Sequence, residues 1–290
     1  MSGGAPAALW PDRLRLGEGI RAVDGRIVLV DILTGRLLTG CPADRTAPLT
    51  RLARLDEPLG AVAPVHGRPG HWIAAAGTGI CLLTPDGPPQ WLARPEEGAA
   101  SAMRMNDATA DPQGRFWAGS MAYDAVEGAG SLYRVGHDGT VDRVLDGLTV
   151  PNGPAFTADG GAMYLADSAK GVIRLYPVDP DSGLPGAPDT FAVFDRGSPD
   201  GMAVDAEGGL WTAVWGTGTV HRLRADGTPD RQIRLPAAQP AGLCLDGDTL
   251  YVTSARHGLT APGPLDGAVF SVRVDVPGLP TAAYRQGSSV

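Results

Sequence analysis

Asp111-Pro-Gln-Gly-Arg-Phe-Trp-Ala-Gly119 decides the fold, because its pattern keeps returning. A turn rich in Asp and Gly is followed by an apolar strand carrying an aromatic. The same pattern stands at Asp24-Gly-Arg-Ile-Val-Leu-Val-Asp31, Ala158-Asp-Gly-Gly-Ala-Met-Tyr-Leu-Ala-Asp167, Asp205-Ala-Glu-Gly-Gly-Leu-Trp-Thr-Ala213 and Asp246-Gly-Asp-Thr-Leu-Tyr-Val-Thr253. A weaker copy runs from His66-Gly67 to His71-Trp-Ile-Ala-Ala-Ala76, which makes six. Apolar third strands follow, among them Gly79–Leu83, Ser131–Val135, Val172–Tyr176, Val220–Arg224 and Ala268–Val272. The copies recur at roughly 45 residues, the length of a four-stranded propeller blade. Short antiparallel sheets that cannot bury both faces alone are satisfied by radial packing, which leaves only short, protected edges. The expectation is an all-β chain folded as one six-bladed β-propeller domain over residues 1–290, with four-stranded antiparallel blades. Two stacked β-sandwiches would explain the strands but not the single period.

Composition agrees. The 290 residues are 43% hydrophobic and 19% charged, with 41 Gly and 26 Pro and no collagen period, as many tight turns between short strands require. A net charge of -8 argues against a nucleic-acid partner, since that binding starts from a basic surface that releases counterions. Cys41, Cys81 and Cys244 are odd in number and far apart, so buried thiols are expected rather than a disulfide framework or a zinc knot. The start, Met1 to Trp10, has neither a basic nor an apolar leader segment, and no apolar run reaches membrane-spanning length. A cytoplasmic protein without a membrane partner is expected; oligomeric state is not legible.

In such a propeller the first strand of each blade lines the axis, and all six run parallel, so equivalent residues at their starts ring one mouth of the channel. Those starts are Glu18-Gly19, Leu59-Gly60, Asn106-Asp107, Asn152-Gly153, Asp200-Gly201 and Ala241-Gly242. Taken singly, Asn and Asp are ordinary turn formers, and the recurring glycine fits a tight structural repeat. Together, four oxygen-bearing side chains at one repeat position are a candidate ligand set. Glu18 and Asp200 would repel each other in a narrow channel, and a divalent cation would compensate both, with the Asn152 carbonyl as a neutral ligand. Oxygen ligation favours Ca²⁺, Mg²⁺ or Mn²⁺, and Zn²⁺ remains open.

Loops between second and third strands return to the same mouth, bringing Ser120–Asp124, Asp167-Ser168, Trp215-Gly216 and Ser254–His257 to its rim. Arg104 lies two residues before Asn106, where an inward guanidinium would bind a substrate oxygen or carboxylate. His257 is the one histidine this layout places near the mouth. No GxSxG or nucleophile–base pattern occurs, so a Ser-His-Asp hydrolase has no support.

Leu16-Gly-Glu-Gly19, Arg104-Met-Asn-Asp107 with Asp111–Met121, Gly147–Gly153 with Tyr164–Ser168, and Ser198–Gly208 resemble, in this order, the SMP-30/gluconolactonase/luciferin-regenerating (regucalcin-like) family. The resemblance covers nearly the whole chain. It implies a six-bladed propeller with one catalytic divalent cation held by Glu18, Asn152 and Asp200, and substrate contacts from Arg104 and Asn106. It further implies hydrolysis of a small polar lactone to a hydroxy acid, the metal polarising the carbonyl and Asp200 or metal-bound water acting as base or nucleophile. Two departures stand out. Ile20-Arg-Ala-Val23 replaces the Pro and Trp usual in the sugar lactonases, and Tyr123-Asp124 occupies the rim where sugar-binding relatives often place a glutamate. Tyr123 and Asp124 are therefore this chain's candidate substrate-binding pair. Two other readings keep the same pocket: a non-hydrolytic metal enzyme performing cyclisation, isomerisation or elimination on a natural-product intermediate, and a non-enzymatic calcium-binding propeller.

Overall fold

A computed structural model describes residues 5–287 as six four-stranded antiparallel sheets arranged as a six-bladed β-propeller. The expected domain limits at 1 and 290, and the leader-free start at Met1, lie partly outside the described residues. The innermost strands are Gly17–Val23, Leu59–Pro64, Met103–Ala110, Pro151–Phe156, Ser198–Val204 and Pro240–Asp246. Each packs against the next around the axis, and the first against the last. Among the described residues the only helical turns are the 3₁₀ turns Ile32–Thr34 and Ser168–Lys170, so no helix is long and apolar enough to cross a membrane.

Five blades take their strands consecutively. The sixth borrows its outer strand from the start of the chain: Ala7 and Ala8 pair with Ser271 and Phe270. Two chain ends are thereby laced into one sheet. Apolar side chains fill the wedges between blades, as where Val30, Leu37 and Leu59 meet Val62 and Ala74, and where the Trp117 and Phe156 rings lie 5.4 Å apart. Such burial is worth about 25 cal/mol per Å² and holds together blades that share few hydrogen bonds.

All six inner strands break register just after the ring position, as between Glu18 and Arg21, Asn152 and Ala155, and Pro199 and Met202. The repeated glycine serves this bulge. Gly19 sits at φ 53°, a left-handed conformation that disfavours a side chain. At Gly242 a Cβ would stand 2.9 Å from Glu18 Oε2. The glycine there leaves room for the carboxylate.

At the opposite end, Asp111 and Asp205 tie down their turns. Asp205 accepts from the amides of Glu207 and Gly209, the Trp211 indole (2.8 Å) and Arg222 Nε (2.7 Å). Asp111 accepts from the Arg115 amide and Nε (2.6 Å) and the Trp117 indole (2.9 Å). The C-terminal segment crosses this lower face. Pro277 accepts from the Ala206 amide, Tyr284 N–H donates to Pro64, and Arg285 N–H donates to Gly114, so fifth, second and third blades are bridged. Beneath it lies a cavity of about 480 Å³ lined by Phe156, Met202, Leu245 and Leu279. All three cysteines are free; Cys81 and Cys244 are buried, and burial pushes their thiols up to about 12. Cys41 departs from the expectation of a buried thiol: just beyond the third strand of its blade, it is only half-buried.

Candidate active site

The six inner-strand starts meet at the upper mouth, and Glu18, Asn106, Asn152 and Asp200 are all buried there, beside the buried Leu59 and Ala241. Glu18 and Asp200 come from the first and fifth blades, near enough for the Asp200 charge to act on Glu18. Burial, then the Asp200 charge, then that of Asp107, push the Glu18 carboxyl well above the usual carboxylate range. Burial and the Asp107 charge raise Asp200 to about 7. Glu18 Oε2 is buried with no hydrogen-bond partner. A carboxylate oxygen removed from water without a partner costs on the order of kcal/mol and calls for a cation or a proton.

The amides are held by a chain of hydrogen bonds crossing three blades. Arg104 Nη1 donates to Asn106 Oδ1 (2.7 Å), and Asn106 Nδ2 donates to Asn152 Oδ1 and to the Pro151 carbonyl, both at 2.9 Å. Asn152 Nδ2 donates to Ser168 Oγ (2.8 Å), which donates to the carbonyl of Pro199, the residue before Asp200 (2.5 Å). Orientation follows from this chain: the Asn152 amide nitrogen is turned toward Ser168, and its carbonyl oxygen keeps one lone pair free. Arg104 is buried, which pulls its guanidinium pKa down, while Tyr123, Glu18 and Asp200 favour its charge.

Tyr123 is 51% exposed on the loop 123–129, within electrostatic reach of Arg104. Asp124 is exposed on the same loop. The structure thus gathers Glu18, Arg104, Asn106, Asn152 and Asp200 into one constellation, with Tyr123 at its edge. Asp124 makes no hydrogen bond or ion pair to it among the described residues.

Three members were not read as such from sequence. Asp107 is a third buried carboxylate, accepting from the Ala108 amide (2.8 Å) and the Gly153 amide (3.0 Å). Burial raises its pKa, and Arg21 and the two amides oppose that rise. The signal was present, since the third blade alone has no glycine after the ring position. Arg21, in the stretch that departs from the sugar lactonases, closes the floor: it donates to the carbonyls of Ile20 (2.7 Å) and Ala108 (2.5 Å) and lies 4.0 Å from Asp107. Ser168, expected only on the rim, is the third.

Two carboxylates and an amide can hold a hard divalent cation, and the orphaned Glu18 oxygen fits that demand. Among the described residues no three His, Cys, Asp or Glu side chains cluster as a metal set by themselves. Asn152 brings a neutral carbonyl oxygen to the same mouth, which an acid-only pattern passes over.

The propeller with carboxylates and amides at one mouth defines a class, and comparison with known proteins gives its family. Residues 16–256 match the SMP-30/gluconolactonase/LRE-like region, and the chain belongs to this family. It is 37% identical over 259 residues, 86% of this chain and 87% of the relative, to 6-deoxy-6-sulfogluconolactonase of Pseudomonas putida. It is 33% identical over 282 residues to pentonolactonase XacC of Haloferax volcanii, covering 92% of this chain and 93% of that one. Among solved structures, the calcium-binding protein regucalcin from Agrobacterium tumefaciens superposes with a TM-score of 0.88 at 29% identity, over 98% of each chain.

Proposed function

We infer that the chain is a single-domain hydrolase of small polar sugar lactones that works with one divalent cation held by Glu18, Asn152 and Asp200. The observation that carries this reading is the pair of buried carboxylates, Glu18 and Asp200, which no arginine or lysine pairs directly among the described residues and of which Glu18 Oε2 has no hydrogen-bond partner. Relatives with lactonase names that match most of this chain support the reaction class. Three free thiols fit a reducing cytoplasm.

When bound, the cation supplies Lewis acidity toward the lactone carbonyl and makes water a stronger acid. The chain's own groups do the rest. Arg104, desolvated and already aimed at Asn106, donates to the substrate's oxygens, and Asn106 fixes the lactone's orientation through its bonds to Asn152 and Pro151. Tyr123 offers its hydroxyl at the edge of the mouth, and Asp124 contributes from the loop. Asp200, buried at the same mouth, takes a proton from the attacking water. The water oxygen bonds to the acyl carbon, the ring C–O bond breaks, and the proton passes to the departing alkoxide, leaving a hydroxy acid.

The test is a panel of γ- and δ-aldonolactones with chelator-treated protein, before and after Ca²⁺, Mg²⁺, Mn²⁺ or Zn²⁺. Product mass one water above the substrate, restored by cation, is expected. Cation binding without lactone opening would favour non-hydrolytic chemistry in the same pocket.

A further inference from the structure

Two turns of the chain are built alike and differ at their first side chain. In the first blade Asp31 leads into the 3₁₀ turn Ile32–Thr34, and in the fourth Asp167 leads into Ser168–Lys170. Their hydrogen bonds match one for one. Asp31 accepts from the amides of Arg15 and Leu16 (3.3 and 2.9 Å), and Asp167 accepts from those of Thr149 and Val150 (3.2 and 3.0 Å). The amide of Ile32 donates to the Leu16 carbonyl (3.0 Å), and that of Ser168 donates to the Val150 carbonyl (2.9 Å). Both turns close on a left-handed glycine, Gly35 at φ 62° and Gly171 at φ 63°. Ile32 and Ser168 therefore occupy equivalent places, and both are buried. Because isoleucine builds the turn without a hydroxyl, the turn itself does not require the one on Ser168.

What differs is the ring residue on the neighbouring inner strand. Glu18 pairs with Val30, two residues before Ile32, and Asn152 pairs with Ala166, two residues before Ser168. A carboxylate has two like oxygens and no wrong way round. An amide has one: turned over, Asn152 would offer N–H groups where a cation needs a carbonyl. The hydrogen bonds permit a single orientation. A carbonyl can only accept, so the Ser168 hydroxyl spends its one hydrogen on Pro199 (2.5 Å) and can only accept from Asn152, which must show it Nδ2 (2.8 Å). At the other end Arg104 can only donate and the Pro151 carbonyl can only accept. Asn106 must then turn Oδ1 to Arg104 and Nδ2 to Pro151 and Asn152, so Asn152 is required to present Oδ1 on that side. The following blade matches the choice of side chain, since Ile32 belongs to one apolar cluster with Leu59 whereas Ser168 meets the Pro199 carbonyl.

We propose that Ser168 is a positioning residue of the cation site: its hydroxyl selects the Asn152 orientation that leaves the side-chain carbonyl for the cation, and ties Asn152 to the strand that carries Asp200. The proposal rests on the reading of Glu18, Asn152 and Asp200 as cation ligands and adds a residue to it. Without the hydroxyl, Asn152 Nδ2 loses its acceptor, and one of the two constraints on the amide is gone.

The experiment titrates chelator-treated protein with Ca²⁺, Mg²⁺, Mn²⁺ and Zn²⁺ by calorimetry and follows the cation that binds most tightly. Ser168→Ala is expected to weaken its Kd by about tenfold, as loss of a ligand's hydrogen-bond partner does. The melting temperature of the cation-free protein should stay within a few degrees of wild type. Asn152→Asp supplies a second background, because a carboxylate at that place has no wrong way round. In it Ser168→Ala should change the Kd by less than about twofold, a departure from additivity expected of a residue that acts through its neighbour. An equal loss in both backgrounds means that Ser168 acts elsewhere in the fold and overturns the proposal, as does a Ser168→Ala protein that binds like wild type. Should Ser168→Ala fail to fold, Ser168→Cys, close in size and a poor acceptor, takes its place with the same expected outcomes. A wild type that binds none of the four cations overturns the cation reading and the proposal together. Bound cation rather than turnover is read, so the lactonase reading stands or falls separately.

Discussion

The two ends of the channel treat buried carboxylates in opposite ways. At the lower end Asp205 and Asp111 are as inaccessible as any residue in the chain, and each is surrounded by an arginine, an indole N–H and backbone amides. At the mouth Glu18 and Asp200 are buried too, yet each lies within reach of the Asp107 charge, and one Glu18 oxygen has no hydrogen-bond partner. Asp31 and Asp167 sharpen the contrast, because they lie on the mouth side but spend their oxygens on loop amides and on Arg36 and Lys170. Burial alone therefore does not mark function. What marks it is a charge that the fold has left uncompensated, where a folded chain would otherwise neutralise it.

Exchanging the roles of the two ends is the strongest way to break this contrast. Asp200→Asn is expected to lower lactone kcat by about 10³-fold or more while leaving the melting temperature equal or higher, since it removes an unpaired buried charge. Asp205→Asn should do the reverse, costing about 1–3 kcal/mol of stability by weakening the charge-assisted bond to Arg222, which keeps Asp230 and Glu207 as partners. Thermal melts and kinetics on the two proteins decide; a stable, active Asp205→Asn or an unfolded Asp200→Asn would erase the distinction.

Asn152→Ala should leave the propeller folded and weaken cation affinity by about 10–100-fold, the usual effect of disturbing a metal's surroundings. Calorimetric titration reads this directly, and loss of the folded far-ultraviolet spectrum would instead make Asn152 a structural residue.

The smallest effect is on pH dependence. In the metal-free protein Asp200 titrates near 7, against 3.8 for a free aspartate, so between these values the folded state holds more protons than the unfolded one. Stability from this group is full below the unfolded value and is lost as pH rises through about 7. Relative to Asp200→Asn, the metal-free wild type should lose a few degrees of melting temperature between pH 5 and pH 8. A divalent cation should restore them, and cation affinity should weaken as pH falls below 7. A wild type that gains on the variant as pH rises would reverse the sign and contradict the account.

Much of this was legible before any coordinates, because a repeat turns sequence alignment into geometry. Once Phe116-Trp117, Tyr164 and Trp211 fall on equivalent strands, Glu18, Asn152 and Asp200 fall at equivalent starts and must share one mouth. Arg104 followed from its spacing to Asn106. Features outside the repeat were not legible. Ala7–Ala8 is too short to show alternation, and its pairing with Val269–Arg273 is set by closure of the ring. The lower-face course of Val274–Gly287 is fixed by backbone bonds to Pro64, Gly114 and His137 that no side-chain pattern announces. Asp107 was passed over because the repeat drew attention to the residue before it. Arg21 stood out only as a departure, and its place beneath Asp107 required the fold.

The most direct test of the central claim is to titrate one chelator-treated sample with a divalent cation while following bound cation and lactone turnover together. One cation per chain is expected, with turnover rising in proportion to occupancy and both signals absent in Asp200→Asn. Full turnover in the chelated protein, or a cation that binds as well to Asp200→Asn as to wild type, would contradict the reading of Glu18, Asn152 and Asp200 as the group that holds it.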